Sequence, residues 1–256
     1  MTLRVHCVQL CFNLSDPARE DLLYEAESVR RFCGLNLSGP IPDESTILYF
    51  RHLLERHQLG AALLETINAH LAGQGLRLQA GTIVDASIIA ASSSTKNQSR
   101  TPGLEMNQTR KGNEWHFGMK LHIGVNAETG LTHSLSTTAA NTVDVTEAHR
   151  LLRGDNREAW GDAGHQGVER RPELADSAVE WWVAMRPGRR RRLTPDHRLA
   201  QCERASLRAK VEHPFLFIKR RFGRDRVRYR GLAKSHNRLA LLLGLTNLLI
   251  AVPQLA

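Results

Sequence analysis

Through residue 80 the apolar positions recur every three or four residues, the period of helices packed on one side. In "PDESTILYFRHLLERHQLG" Ile47, Phe50, Leu53 and Leu54 form one stripe, Asp43 or Ser45 offers a cap, and Gly60 reads as the stop. "LSDPAREDLLYEAESVRRFCGL" reads as one helix. It starts at Ser15 or Asp16, has Pro17 in its first turn, carries Arg30 and Arg31 late, and stops at Gly34. "AALLETINAHLAGQG" puts Leu63, Leu64, Ile67 and Leu71 on one face. A further helix begins almost at Met1, which reads as a start inside a larger ancestral domain.

From residue 81 the texture becomes short, β-branched and alternating. "GTIVDASIIAAS" reads as a strand, and "NEWHFGMKLHIGVNAETGLTHSLSTTAAN" as a hairpin turning at Glu128-Thr129-Gly130. A helix follows in "DVTEAHRLLRG", then a short strand running into a Gly-rich turn in "EAWGDAGHQG". "GVERRPELADS" is helical or partly so, "VEWWVAMRPG" is a strand, and a basic loop leads to a long helix that Pro214 kinks or restarts. Residues 92–113 are polar without a period and read as a loop. The apolar run at residues 239–252 is too short for a membrane span of ~20 residues and reads as a core helix. The order is three strands, helix, strand, helix, strand, helix. That order predicts an α/β fold, a mixed sheet with helices on its faces, as in the ribonuclease H-like fold. The expected division is a helical region over residues 1–78 and an α/β domain over 79–256.

Charge changes the picture more than overall composition does. The chain of 256 residues is +9 at neutral pH. Residues 186–234 hold 17 Lys/Arg against four acids, so the whole positive excess lies there. A polyanion partner, most simply nucleic acid, explains that density better than a solvated face does. Four cysteines without a C-x-x-C fit a reduced, cytoplasmic chain, and no signal peptide is visible.

Three acids stand out against this background. Asp85 interrupts an otherwise apolar strand, although an edge-strand Asp would look the same. Asp162 ends a strand among Gly161, Ala163, Gly164 and Gly167, which leaves room for a ligand to approach, or forms a plain Asp-Gly turn. Glu212 is the sole carboxylate between Arg204 and Arg224. On an unbroken helix Arg208, Glu212 and Lys219 share a stripe, and the bland reading is an Arg208–Glu212 surface pair. Three converging carboxylates repel unless hard cations neutralise them. A pair of Mg²⁺ ions does so and supports in-line phosphoryl transfer.

With those residues in view the chain resembles bacterial insertion-sequence transposases of the DDE type, in the family named after insertion sequence five. "GTIVDASIIAASSSTKN", "KGNEWHFGMKLHIGVNAETGLTHS", "TTAANTVDVTEAH", "WGDAGHQGVERRPE" and "RAKVEHPFLFIKRRFG" carry the resemblance, which spans nearly the whole chain. It implies a metal-binding catalytic triad at Asp85, Asp162 and Glu212. Mg²⁺ is the implied cofactor, with Mn²⁺ able to substitute. The implied activity is cleavage of the element's ends and strand transfer into target DNA. Arg208, Lys219, Lys120, Arg220 and Arg221 are the expected DNA contacts. A homo-oligomer, most naturally a dimer, would bring two ends together. The sequence departs from the family pattern at Ala205 and His165, where the family has Tyr. Related full-length transposases carry more residues ahead of Met1, so a shortened copy is expected. The alternative reading is a shortened, inactive copy that only binds DNA or a sister subunit.

The remaining candidates are weaker. His116, His122, His133 and His149 lack zinc-ligand spacing, and the first two read as support near the pocket. Trp115, Trp160, Trp181 and Trp182 read as core. Arg189 to Arg192 are candidates for gripping phosphates or for a plain basic loop. Ser92, Ser93 and Ser94 lack a nearby base. A phosphatase of the aspartyl-nucleophile class would need D-x-D, and Ala86 and Ser87 follow Asp85.

Overall fold

The computed structural model describes residues 1–36, 38–76, 78, 81–92, 105–154, 156–186, 188, 194–229 and 231–255. Arg189 to Arg192, Ser93, Ser94 and most of the segment read as a loop lie outside the described residues. Helices α1 (Thr2–Cys11), α2 (Asp16–Glu25), α3 (Glu27–Cys33), α4 (Glu44–Arg56) and α5 (Leu59–Gly73) come first. The stretch read as a single helix is broken at Ala26, which is extended (φ −106°, ψ 100°). The break lets Leu23 and Cys33 face the same small core as Val5, Val8, Leu35 and Ile47. Asp43 does cap α4, accepting from the Thr46 N–H at 2.7 Å.

Gly60 is not a stop. Helix α4 ends at His57, Gln58 turns left-handed (φ 49°), and Gly60 sits in the first turn of α5. Its N–H donates to Asn237 Oδ1 at 2.7 Å, and a β-carbon there would run into the Asn237 carbonyl. The glycine is there so that two helix backbones can touch.

Among the described residues six strands form the sheet: β1 (Thr82–Ala90), β2 (Asn107–Lys111), β3 (Glu114–Asn126), β4 (Thr132–Ala139), β5 (Glu158–Gly161) and β6 (Glu180–Val183). β3 pairs antiparallel with β1 along one side, and with β2 and then β4 along the other. β1, β5 and β6 are parallel to one another. This is the mixed sheet expected of a ribonuclease H-like fold, with β2 as an addition. The sequence reads as loop at β2 because "NQTRK" is polar on both faces and has no buried side to impose a period.

Between β4 and β5 the chain makes a 3₁₀ turn at Asp144–Thr146 and the short helix α6 (Ala148–Leu151). The stretch after β5 is made of 3₁₀ turns, at Ala163–His165, Val168–Arg170 and Pro172–Leu174. The long basic helix splits into α7 (Pro195–Arg208), a 3₁₀ turn at Ala209–Val211, α8 (Glu212–Leu216) and a π turn at Phe217–Arg221. Pro214 lacks the N–H that would bind the Lys210 carbonyl, so the α ladder fails there and restarts at Glu212.

The last helix, α9 (Leu232–Leu255), is longer than the apolar run suggested. It is long and apolar enough to cross a membrane by length and composition, but half of its most apolar stretch is buried inside the fold. Leu239, Leu241, Leu242 and Leu243 join Ile83, Met119, Leu121, Ile123, Phe215 and Phe222 in the main core. Buried Asn247 locks the helix to β4: its Oδ1 accepts from the Thr132 N–H at 2.9 Å and its Nδ2 donates to the Thr132 carbonyl at 2.7 Å.

Candidate active site

The parallel ladder between β1 and β5 is two pairs long, Thr82 with Ala159 and Ile83 with Trp160. Carried two residues further, the same offset sets Asp162 level with Asp85. There the strands part, and the gap becomes a pocket of about 350 Å³. Asp85, Asp162 and Glu212 all line it, with Asp144, Arg208, Lys120, Thr109, Arg110 and Lys111.

Each strand acid has one oxygen tied down. Asp85 Oδ1 accepts from the Ala86 N–H at 2.7 Å. Asp162 Oδ1 accepts from the Gly164 N–H and from His165 Nδ1, both at 2.8 Å. The second oxygen of each has no hydrogen-bond partner among the described residues. Gly161 makes the His165 contact possible, since a β-carbon there would lie 2.9 Å from the His165 ring. His165 is thus the buried anchor of Asp162.

The two acids are held in opposite electrostatic states. The His165 hydrogen bond holds the Asp162 carboxyl below its usual range. Burial pushes Asp85 up to about 6, and the negative charges of Asp162 and Glu212 add to the shift. A carboxylate desolvated beside two others is the setting that a divalent cation relieves, so the donor set fits hard-cation chemistry. Among the described residues no three His, Cys, Asp or Glu side chains cluster closely enough to hold an ion unaided. The acids share a pocket wall without closing a three-ligand cage. Mg²⁺ typically takes one or two carboxylates and completes its shell with water and substrate phosphate, so an open wall suits it.

The basic residues divide. Arg208 lines the pocket, its charge reaches Asp162, and its Nε is buried without a hydrogen-bond partner among the described residues. Lys219 is off the wall but near Glu212 and Lys111, and burial lowers its pKa. Arg220 and Arg221 are exposed outside the wall. Lys120 is committed: its ammonium donates to the Thr142 carbonyl at 2.7 Å and to Asp144 Oδ1 at 2.8 Å. Lys120→Met is therefore expected to leave the salt dependence of DNA binding unchanged while lowering stability by about 1–3 kcal/mol. DNA titrations at several salt concentrations, alongside urea unfolding, check both halves.

Sequence reading missed Asp144, which had passed for a helix start. Its Oδ2 would lie 3.4 Å, and Asp162 Oδ1 3.0 Å, from a β-carbon on Gly164. The buried His122 ring stands 3.8 Å from Asp144 Oδ1 and donates to or accepts from Thr138 Oγ1 at 2.8 Å. Burial takes its pKa down to about 4. Thr109, Arg110 and Lys111 were missed with β2. Trp160 is core as expected, whereas Trp115 is 68% exposed.

Residues 77–248 match the family model described as Transposase DDE domain, and residues 1–53 match Transposase domain (DUF772). No solved structure matches the chain. A family match over two-thirds of the chain, on a ribonuclease H-like sheet carrying acids at the parting of two parallel strands, places this protein among the DDE transposases.

Proposed function

We propose that this transposase cuts the ends of an insertion element of the family named after insertion sequence five, and joins them to target DNA. The observation that carries this reading is the meeting of Asp85, Asp162 and Glu212 at one pocket with Arg208 in its wall. Asp85 and Asp162 would hold one Mg²⁺ through their untied oxygens, and Glu212 would complete the site for a second. When bound, such a pair polarises the scissile phosphate and favours an attacking oxygen over its conjugate acid.

The chain's own residues do the rest. Arg208 neutralises the phosphate that must enter an acidic pocket. Thr109, Arg110 and Lys111 approach it from β2, and Lys219 supports Glu212 from the π turn. His165 keeps Asp162 ionised and aimed. Water attacks phosphorus and the bond to the 3′ oxygen breaks, leaving a 3′-hydroxyl. That hydroxyl then attacks a target phosphorus and displaces another 3′ oxygen, so bonds made and broken balance in each step. The helical region over residues 1–78, with its own small core, would serve end recognition or pairing of two copies.

The test uses DNA ends from either side of the protein's own gene. Nicking and joining with Mg²⁺, lost with a chelator and lost in Asp162→Ala, are expected. Tight DNA binding by the intact protein without metal-dependent cleavage favours the binding-module alternative and sinks the proposal, as does full activity in Asp162→Ala.

A further inference from the structure

A second concentration of charge lies away from the carboxylate pocket. Beyond the π turn, Asp225 to Val227 run against the end of β1: the Ala90 N–H donates to the Asp225 carbonyl at 3.0 Å and the Val227 N–H to the Ala90 carbonyl at 2.8 Å. Arg224 there is 4% exposed, and its Nε, Nη1 and Nη2 are all buried without a hydrogen-bond partner among the described residues. It lines a half-open cavity of about 30 Å³ with Arg226, Arg228, Tyr229, Ser235 and Arg238 over a largely apolar floor of Ile89, Met119, Val227, Leu239 and Leu242. Among the described residues no carboxylate lines this cavity. Arg238 is held by Tyr229, donating to its hydroxyl and lying 4.9 Å from the ring centroid, and its Nε too is buried and unpaired. Asp16, an acid whose charge reaches Arg238, is already engaged by both Arg51 nitrogens at 2.6 and 2.8 Å.

A buried guanidinium with five donors and no acceptor is costly unless an anion arrives. The space fits two water-sized atoms at ~15 Å³ each, which is room for the two non-bridging oxygens of a phosphate whose remainder stays in the mouth. Planar guanidinium groups favour such an oxyanion over a spherical ion. We infer that Arg224, Arg226, Arg228 and Arg238 form a phosphate-binding site, filled by a backbone phosphate of DNA lying across the end of β1. Ile89, in the cavity wall, is four strand residues from Asp85, or ~13 Å along β1. One duplex can therefore reach both places. That the phosphate belongs to DNA rests on the transposase reading; the oxyanion site itself does not.

Arg224→Met tests it, because it removes a charge that no carboxylate among the described residues of the cavity wall balances, and should still fold. DNA affinity is measured against salt without divalent metal, so the result is independent of cleavage. The slope of log K on log salt should fall by about one, with affinity three- to tenfold lower at moderate salt. Exposed Arg228→Gln should move both quantities the same way and serves if Arg224→Met does not fold. In the second arm inorganic phosphate should raise the melting temperature of the wild type and not of Arg224→Met. Unchanged slopes in both variants overturn DNA as the source. Equal phosphate stabilisation of wild type and Arg224→Met, or none in either, overturns the site.

Discussion

Asp85→Asn is expected to make the metal-free protein more stable at neutral pH and to lower Mg²⁺-dependent cleavage by at least ~10³-fold. The folded-state pKa of Asp85 is raised from 3.8 to about 6 by burial and by its acidic neighbours. The sign follows from which state holds more protons. Below pH 3.8 both folded and unfolded chains are protonated there, and the wild type bears no penalty. Between 3.8 and about 6 the folded chain keeps a proton that the unfolded chain has lost, so wild-type stability falls as pH rises. Above that window the full cost is present, up to about 3 kcal/mol at 1.36 kcal/mol per unit. The asparagine variant should thus melt several degrees higher at pH 7.5, and the advantage should vanish near pH 3.5. Mg²⁺ should raise the melting temperature of the wild type more than that of the variant. A variant less stable than wild type at pH 7.5, or one that still cleaves at the wild-type rate, contradicts this account.

Gly60→Ala should produce the largest loss of stability of any single methyl added to the described glycines of the helical region. The new β-carbon would collide with the Asn237 carbonyl and lie 2.8 Å from Asn237 Oδ1, while Gly60 N–H must still reach that oxygen. Backbone cannot step aside as a side-chain tip can, so α5 must separate from α9, at about 3 kcal/mol. Gly73→Ala is the control: nothing lies within 4 Å of its would-be β-carbon, at the end of the same helix. It should be neutral or stabilising by ~0.5–1 kcal/mol. Equal urea midpoints for the two variants would refute the role given to the Gly60–Asn237 contact.

What could be read from sequence depended on whether a physical constraint left a pattern. β1 was legible because burial of Ile83, Val84 and Ile89 demands an apolar run, and Asp85 stood out inside it. The strand before Asp162 was legible for the same reason, and β6 through its half-buried Trp181, Trp182 and Val183. β2 left no trace because an exposed polar edge buries nothing. Gly60 and Gly34 look alike in sequence, yet Gly34 ends a helix in the left-handed region (φ 68°) and Gly60 makes room for a distant asparagine. Local rules describe the first and are blind to the second. Asp144 was hidden because its place in the pocket depends on how the β4–β5 crossover folds back to Lys120. The break before Glu212 was visible in Pro214. Its effect on the Arg208–Glu212–Lys219 stripe was not, because two of the three reach the pocket and Lys219 does not.

The two-pair ladder between β1 and β5 has a consequence for how members of such a lineage can differ in length. Side chains alternate across a strand, so a single insertion or deletion between Ile83 and Asp85, or between Trp160 and Asp162, would turn one acid away from its mate. Of the residues joining these two segments, the paired strands β3 and β4 and the turn that carries Asp144 obey the same arithmetic, and only the links between them escape it. Drift in length is thus free to accumulate in the turns between strands, while the two short windows before the acids tolerate none.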